Sequence, residues 1–134
     1  MGGGVAIYVR DNIYSTEILE LRQDRTESIW VKVHIKGCDI LFGVFYRPPD
    51  SENNTWDHIN HSIDLAINTN IDRIVVCGDL NEDQLNPRKM KIRDICLQNN
   101  LTQIITDPTY YHERSASLLD LILVNNPNMI IYSR

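Results

Sequence analysis

The chain has 134 residues, with 43% hydrophobic and 23% charged residues. That is about one domain's worth of globular sequence and too apolar for a disordered chain. Thirteen Lys and Arg against eighteen Asp and Glu leave a net charge of -5, which excludes a strongly basic nucleic-acid binder on overall balance. It does not exclude an enzyme that acts on phosphates through a metal, because the metal then carries the positive charge. No apolar run approaches the ~18 residues of a membrane-spanning helix.

In chain order, Val5–Val9 is β-branched and aromatic and predicts a strand that ends at Arg10-Asp11-Asn12. Ile29, Val31, Val33 and Ile35 alternate with Trp30, Lys32 and His34, the period of a strand with one buried face. Lys36-Gly37-Cys38-Asp39 follows as a hairpin turn. The near-continuous apolar run Ile40–Tyr46 suits a central strand covered on both faces, stopped by Arg47-Pro48-Pro49-Asp50. Thr55 is the expected N-cap of a helix with Trp56, Ile59, Ile63, Ala66 and Ile67 on one stripe. Arg73–Cys77 reads as a short strand running into Gly78-Asp79-Leu80-Asn81. A second helix is expected after Pro87, with Ile92, Ile95, Cys96 and Asn99 on a common side, and then strands over Leu101–Ile105 and Leu118–Val124. The order β-β-β-α-β-α-β-β predicts a single α/β or α+β layered domain over residues 1–134. The chain opens on a strand and closes on Ile130-Ile131-Tyr132-Ser133-Arg134, so both ends are expected to be cut from something larger.

Several features carry no chemistry in this reading. Cys38, Cys77 and Cys96 are odd in number and lack CxxC spacing, so reduced, buried thiols are expected. The N-terminus shows neither a secretory signal nor a myristoylation pattern, and the sequons at Asn53, Asn60 and Asn100 are then accidental. His58 and His61 are i,i+3 on the first helix without an evident third metal ligand. Gly2-Gly3-Gly4 precedes a strand, unlike a phosphate-cradling loop.

The candidate site residues lie at strand ends. Asp79 closes a buried strand where α/β sheets present ligands, and Asn81 shares its side if the strand geometry continues. A carboxylate can take a proton from water while an amide donates to a phosphoryl oxygen; a plain strand-ending turn is the competing reading. Tyr46 at the mouth of the central strand can donate to a phosphate and Arg47 can pair with one, or Tyr46 simply ends the strand in water. Asp120 stands inside an apolar strand, where a buried carboxylate requires a partner or a raised pKa. The basic cluster Arg88-Lys89-Met90-Lys91-Ile92-Arg93 can steer a polyanion, with a solvated helix face as the alternative.

Taken in order, Gly2–Arg10, Glu27–Val31, Phe45–Pro49, Gly78–Asn81 and Ser117–Ile122 resemble the endonuclease/exonuclease/phosphatase superfamily. Within it, the glycine-rich opening and the Tyr46-Arg47-Pro48-Pro49 segment resemble the apurinic-like endonuclease domain of LINE-type (non-LTR) retrotransposons. The resemblance implies part of a four-layered α/β sandwich with mixed, largely antiparallel sheets and outer elements missing at both ends. It implies Tyr46 as the phosphate-contacting tyrosine, Asp79 as the acid that positions or deprotonates water and Asn81 as the amide on the charged phosphorane. Asp120 becomes the acid that orients a catalytic histidine, while Arg47, Arg88 and Lys89 are candidate substrate contacts. Magnesium or manganese is the implied cofactor, yet the metal-binding glutamate, with an asparagine, is expected upstream of Gly2 and a Ser-Asp-His segment beyond Arg134. DNA is the implied partner, with a reverse transcriptase domain in the same polyprotein, nuclear action and no membrane. The alternatives are an inert remnant that at most binds nucleic acid or protein, and a phosphomonoesterase of the same superfamily. Lost outer strands predict marginal stability of the isolated chain.

Overall fold

The β-branched alternation after Glu27 and the pair Lys36-Gly37 together build the hairpin on which everything else rests. In the computed structural model, which describes residues 4–23, 25–112 and 115–126, the first strand is β1 (Tyr14–Glu17) and a single 3-10 turn follows at Leu19–Leu21. β2 (Glu27–Ile35) and β3 (Cys38–Tyr46) then pair antiparallel over their full length. Lys36 and Gly37 both adopt positive φ, 51° and 79°, the two-residue turn whose twist matches the strands it joins. Helix α1 (Thr55–Ile67), strand β4 (Arg73–Asp79) and helix α2 (Lys91–Asn99) follow. The chain then forms β5 (Thr102–Gln103), β6 (Tyr110–His112), β7 (Ser115–Ser117) and β8 (Asp120–Val124).

Six strands form one sheet in the order β1-β2-β3-β4-β8-β5, and β6 and β7 form a separate hairpin. Among the described residues only β3 and β4 are parallel, as α1 supplies the crossover between them; every other pair is antiparallel. The sheet is thus mixed and largely antiparallel, and the α/β reading holds.

Both helices cover one face. Trp30, Leu41, Phe45, Ile74, Val76, Leu121 and Leu123 from the sheet join Trp56, Ile59, Ile63, Ala66, Ile92 and Ile95 in a single cluster. Inside it the Trp30 indole N–H donates to Ser62 Oγ at 2.8 Å, and Ser62 in turn donates to the Leu21 carbonyl at 2.6 Å, so no polar atom of that pair is stranded. On the opposite face Val31, Val33, Val75 and Val124 are buried, while Ile40, Phe42, Val44, Cys77 and Ile122 are only half-buried.

Several expectations are corrected. Val5–Val9 joins no ladder, because β1 already takes the free edge of β2; its residues nevertheless alternate between half-buried and exposed. β3 is central but covered fully on the helix side alone. The N-cap of α1 is Asn54, with no side-chain bond, and Thr55 is already helical. The strands expected over Leu101–Ile105 and Leu118–Val124 shrink to Thr102–Gln103 and Asp120–Val124. The three cysteines are reduced but half-buried, not fully so; burial pushes the Cys96 thiol up to about 11 and raises that of Cys77 as well. Gly2, Gly3 and the closing Ile130–Arg134 segment lie outside the described residues. Among the described residues, no helix is long and apolar enough to cross a membrane.

Candidate active site at one end of the sheet

The end of β4 is shaped by Gly78. A Cβ at this position would lie 1.8 Å from the Phe45 carbonyl oxygen, and its φ of 142° is one that side chains rarely adopt. Only glycine lets β4 run this close to β3 in the parallel register that sets Phe45 against Gly78 and Tyr46 against Asp79. Beyond Asp79 the chain turns at once. Asn81 adopts a left-handed φ of 52°, and its backbone N–H donates to Asp79 Oδ1 at 3.0 Å, a side-chain-closed turn. The Asn81 amide donates to the Arg47 carbonyl at 2.7 Å, and the Arg47 N–H donates to the Asp79 carbonyl at 2.9 Å. The strand geometry stops at Asp79, so the condition under which Asn81 was expected to share its side does not hold, and Asn81 is instead held by this knot of bonds.

Register continues the row across the sheet. Glu27 pairs with Tyr46, Tyr46 with Asp79, and Asp79 with Asp120. Neighbours in one row share a face, so the three expected site residues on β3, β4 and β8 stand side by side. Burial raises the pKa of Asp79; the Asn81 N–H opposes this shift, and the negative charge of Asp120 adds to it. Asp120 itself corrects the sequence reading. It opens β8, is exposed and has no hydrogen-bond partner for its carboxylate among the described residues. The burial penalty that called for a partner does not arise there.

Arg47, expected as a phosphate contact, follows β3 directly and turns its side chain inward. It is 8% exposed, its guanidinium lies 4.4 Å over the Trp56 ring, and Nη1 donates to the Leu80 carbonyl at 3.3 Å. Burial lowers its pKa, with Glu82 opposing the shift. Arg88 and Lys89 are exposed and precede α2 instead of lying on it. His58 and His61 sit on α1, half-buried and exposed, and belong to no metal-binding group among the described residues.

Three residues that hold this end together escaped the sequence reading. Glu82, 5% exposed, accepts the Lys91 N–H at 3.0 Å and the Ile92 N–H at 2.8 Å, capping α2 from nine and ten residues away. Asp83 Oδ1 accepts the Leu118 N–H at 2.9 Å, tying the loop after Asn81 to the segment before Asp120. Thr109 Oγ1 accepts the N–H groups of Leu119 and Asp120, both at 3.0 Å, and so fixes the start of β8. No local signal marks the first two; a threonine beside the strand-forming Tyr110-Tyr111 was the available hint of the third. One carboxylate oxygen in the row, Glu27 Oε2, is buried without a partner among the described residues. A cleft of about 760 Å³ lined by Glu27, Tyr46, Asp50 and Glu52 opens at this end.

The donor set does not make a metal centre by itself. No group of three or more His, Cys, Asp and Glu side chains is placed to hold an ion among the described residues, and Asp79 and Asp120 supply only adjacent carboxylates. The chemistry available from these side chains is that of a base, Asp79, flanked by donors, Tyr46 and the second amide hydrogen of Asn81.

The family model described as the Endonuclease/Exonuclease/phosphatase family matches residues 1–133. No curated protein matches the chain. Among solved structures, the endonuclease domain of TRAS1, a telomere-specific non-LTR retrotransposon, is similar with a TM-score of 0.68 and 13% identity, over 85% of this chain and 56% of that one. The human Nocturnin catalytic domain is similar with a TM-score of 0.58 and 16% identity, over 88% and 50%. A Staphylococcus aureus beta toxin variant with bound magnesium ions gives 0.53 and 14%, over 73% and 41%. The chain thus spans about half the length of these structures.

Proposed function

Because the chain belongs to the endonuclease/exonuclease/phosphatase family, we propose that it is the central part of a divalent-metal-dependent phosphodiesterase, a retrotransposon-type endonuclease that nicks target DNA for reverse transcription. The observation that carries the reading is the registered row Tyr46, Asp79, Asp120 with Asn81 tied beside it. Asp79, whose raised pKa brings it closer to the range of a working base, takes the proton of the attacking water. Tyr46 and the free amide hydrogen of Asn81 donate to phosphoryl oxygens as charge develops on them. Asp120, exposed at the start of β8, is free to orient a histidine supplied by the parent protein. The similarity to the TRAS1 endonuclease domain favours DNA as substrate, and with it a reverse transcriptase partner and nuclear action. Magnesium or manganese is the expected cofactor, with further ligands from the parent protein.

The test is nicking of supercoiled DNA with and without magnesium or manganese. Metal-dependent nicking that falls by ~10²–10⁴-fold in Asp79→Ala supports the proposal. No nicking even by a protein that joins this chain to the expected glutamate and histidine segments makes it a binding remnant, and phosphate release from monoesters without nicking makes it a phosphomonoesterase.

A further inference from the structure

Arg47 is a buried cation with too few partners. Among the described residues its one side-chain bond goes to the Leu80 carbonyl, and Nε is enclosed without an acceptor. A guanidinium presents a fork of donors, and leaving them unpaired away from water is costly unless an acceptor arrives. The nearby acid, Glu82, does not supply it. Both its oxygens are committed to the Lys91 and Ile92 N–H groups, so it acts on Arg47 through charge alone.

Beside Arg47 lies a second cavity, of about 350 Å³, separate from the cleft at Glu27 and Tyr46. Trp56 and Arg47 line it together with Arg88, Lys89 and Lys91; Glu82 and Asp94 are the acids on its wall. The loop that carries the basic side chains is pinned, with the Arg88 N–H on Asn86 Oδ1 at 3.0 Å and the Lys89 N–H on the Asn86 carbonyl at 3.1 Å. Cations therefore outnumber acids around a pocket lined by a guanidinium whose Nε lacks an acceptor among the described residues. We infer that this cavity is an anion site that takes a phosphate group, with Arg47 as its floor and Arg88 and Lys89 closing over it. Side chains hold the anion, since Glu82 already occupies the first N–H groups of α2. The Arg47 carbonyl accepts the Asn81 amide, so an occupant that fixes Arg47 also fixes Asn81. The site goes beyond the proposed hydrolysis and rests on it only for the source of the phosphate, a flanking position of the DNA strand or a free phosphate.

Trp56 reports directly, because its ring lies under the Arg47 guanidinium. The full chain is titrated with inorganic phosphate at constant ionic strength while tryptophan emission is followed. A saturable change that weakens about tenfold in Arg88→Ala/Lys89→Ala and vanishes in Arg47→Gln is expected. The double variant alters exposed side chains alone, so its result stands even if Arg47→Gln does not fold. Absence of a saturable response, or equal affinity in the double variant, overturns the site. Competition by a short DNA duplex identifies the strand as the source, and phosphate binding without competition identifies free phosphate. Asp79→Ala separates this site from the proposed hydrolysis: an unchanged phosphate response with nicking lost supports both readings, and a lost response places the signal at Asp79 and overturns this one.

Discussion

The helix-covered centre of the sheet and its charged end are made from the same strands, yet they meet their neighbours in opposite ways. At the centre, Trp30 fills the space over Gly43, meets Phe45 edge-on at 5.7 Å and finds a hydroxyl for its N–H. At the end, Asp79 faces Asp120, and among the described residues Glu27 Oε2 has no partner and Arg47 Nε no acceptor. The centre satisfies its groups internally, whereas the end leaves charge and donors unspent, as a surface that meets a polyanion or its counter-ions would.

Two glycines give the sharpest way to break that contrast. An added Cβ at Gly78 meets the Phe45 backbone at 1.8 Å, while one at Gly43 meets the Trp30 ring at 2.6 Å. Backbone paired in a ladder cannot retreat, and Gly78 also holds a φ of 142°. Gly78→Ala is therefore expected to cost about 3 kcal/mol or more, enough to unfold a marginal chain. Gly43→Ala, where an indole ring can tilt, is expected to cost about 1–3 kcal/mol. Denaturant midpoints of the two variants decide the matter, and equal losses would mean that β3 and β4 slide freely past each other at the site. Glu82→Ala comes next, at about 1–2 kcal/mol for a lost cap, read from the helical circular dichroism of α2 along with the midpoint. An unchanged midpoint would show that water replaces the carboxylate at Lys91 and Ile92.

The same contrast explains what could be read in the sequence. The β2–β3 hairpin, β4 and α1 were legible because burial on one face imprints a period and Lys36-Gly37 marks the turn. β1 was not, since Tyr14-Ser15-Thr16-Glu17 is exposed throughout and exists only by pairing with β2. The alignment of Tyr46, Asp79 and Asp120 depended on three separate strands stopping in register, yet each lay in a short motif that could be picked out singly. Asp120 was misjudged in depth because apolar neighbours reveal that a strand is buried, not where it begins to be. Glu82 was invisible because its work is done on backbone nine residues away, which leaves no trace in composition.

The smallest expected effect sharpens the comparison most, because its sign is opposite to the others. Burial and the Asp120 charge raise the pKa of Asp79 in the folded chain, so the native state holds a proton that the unfolded chain has already released. The stability this supplies is complete below the ordinary aspartate range, about 4, and is lost as pH rises through the folded value. At neutral pH the folded protein therefore carries an ionised Asp79 at a cost. Asp79→Asn removes the charge while keeping an oxygen for the Asn81 N–H, so the variant should melt above the wild type at pH 7, by an amount that solvent screening keeps small. The gain should shrink as the pH falls towards 4, where the wild-type carboxyl is itself neutral. Asp120→Asn should raise the neutral-pH melting temperature less, since the Asp120 charge contributes less to the shift than burial does. A wild-type chain more stable than Asp79→Asn at pH 7 would mean that the carboxylate is stabilised by some group not in this row, and the charged end would then be as self-satisfied as the centre.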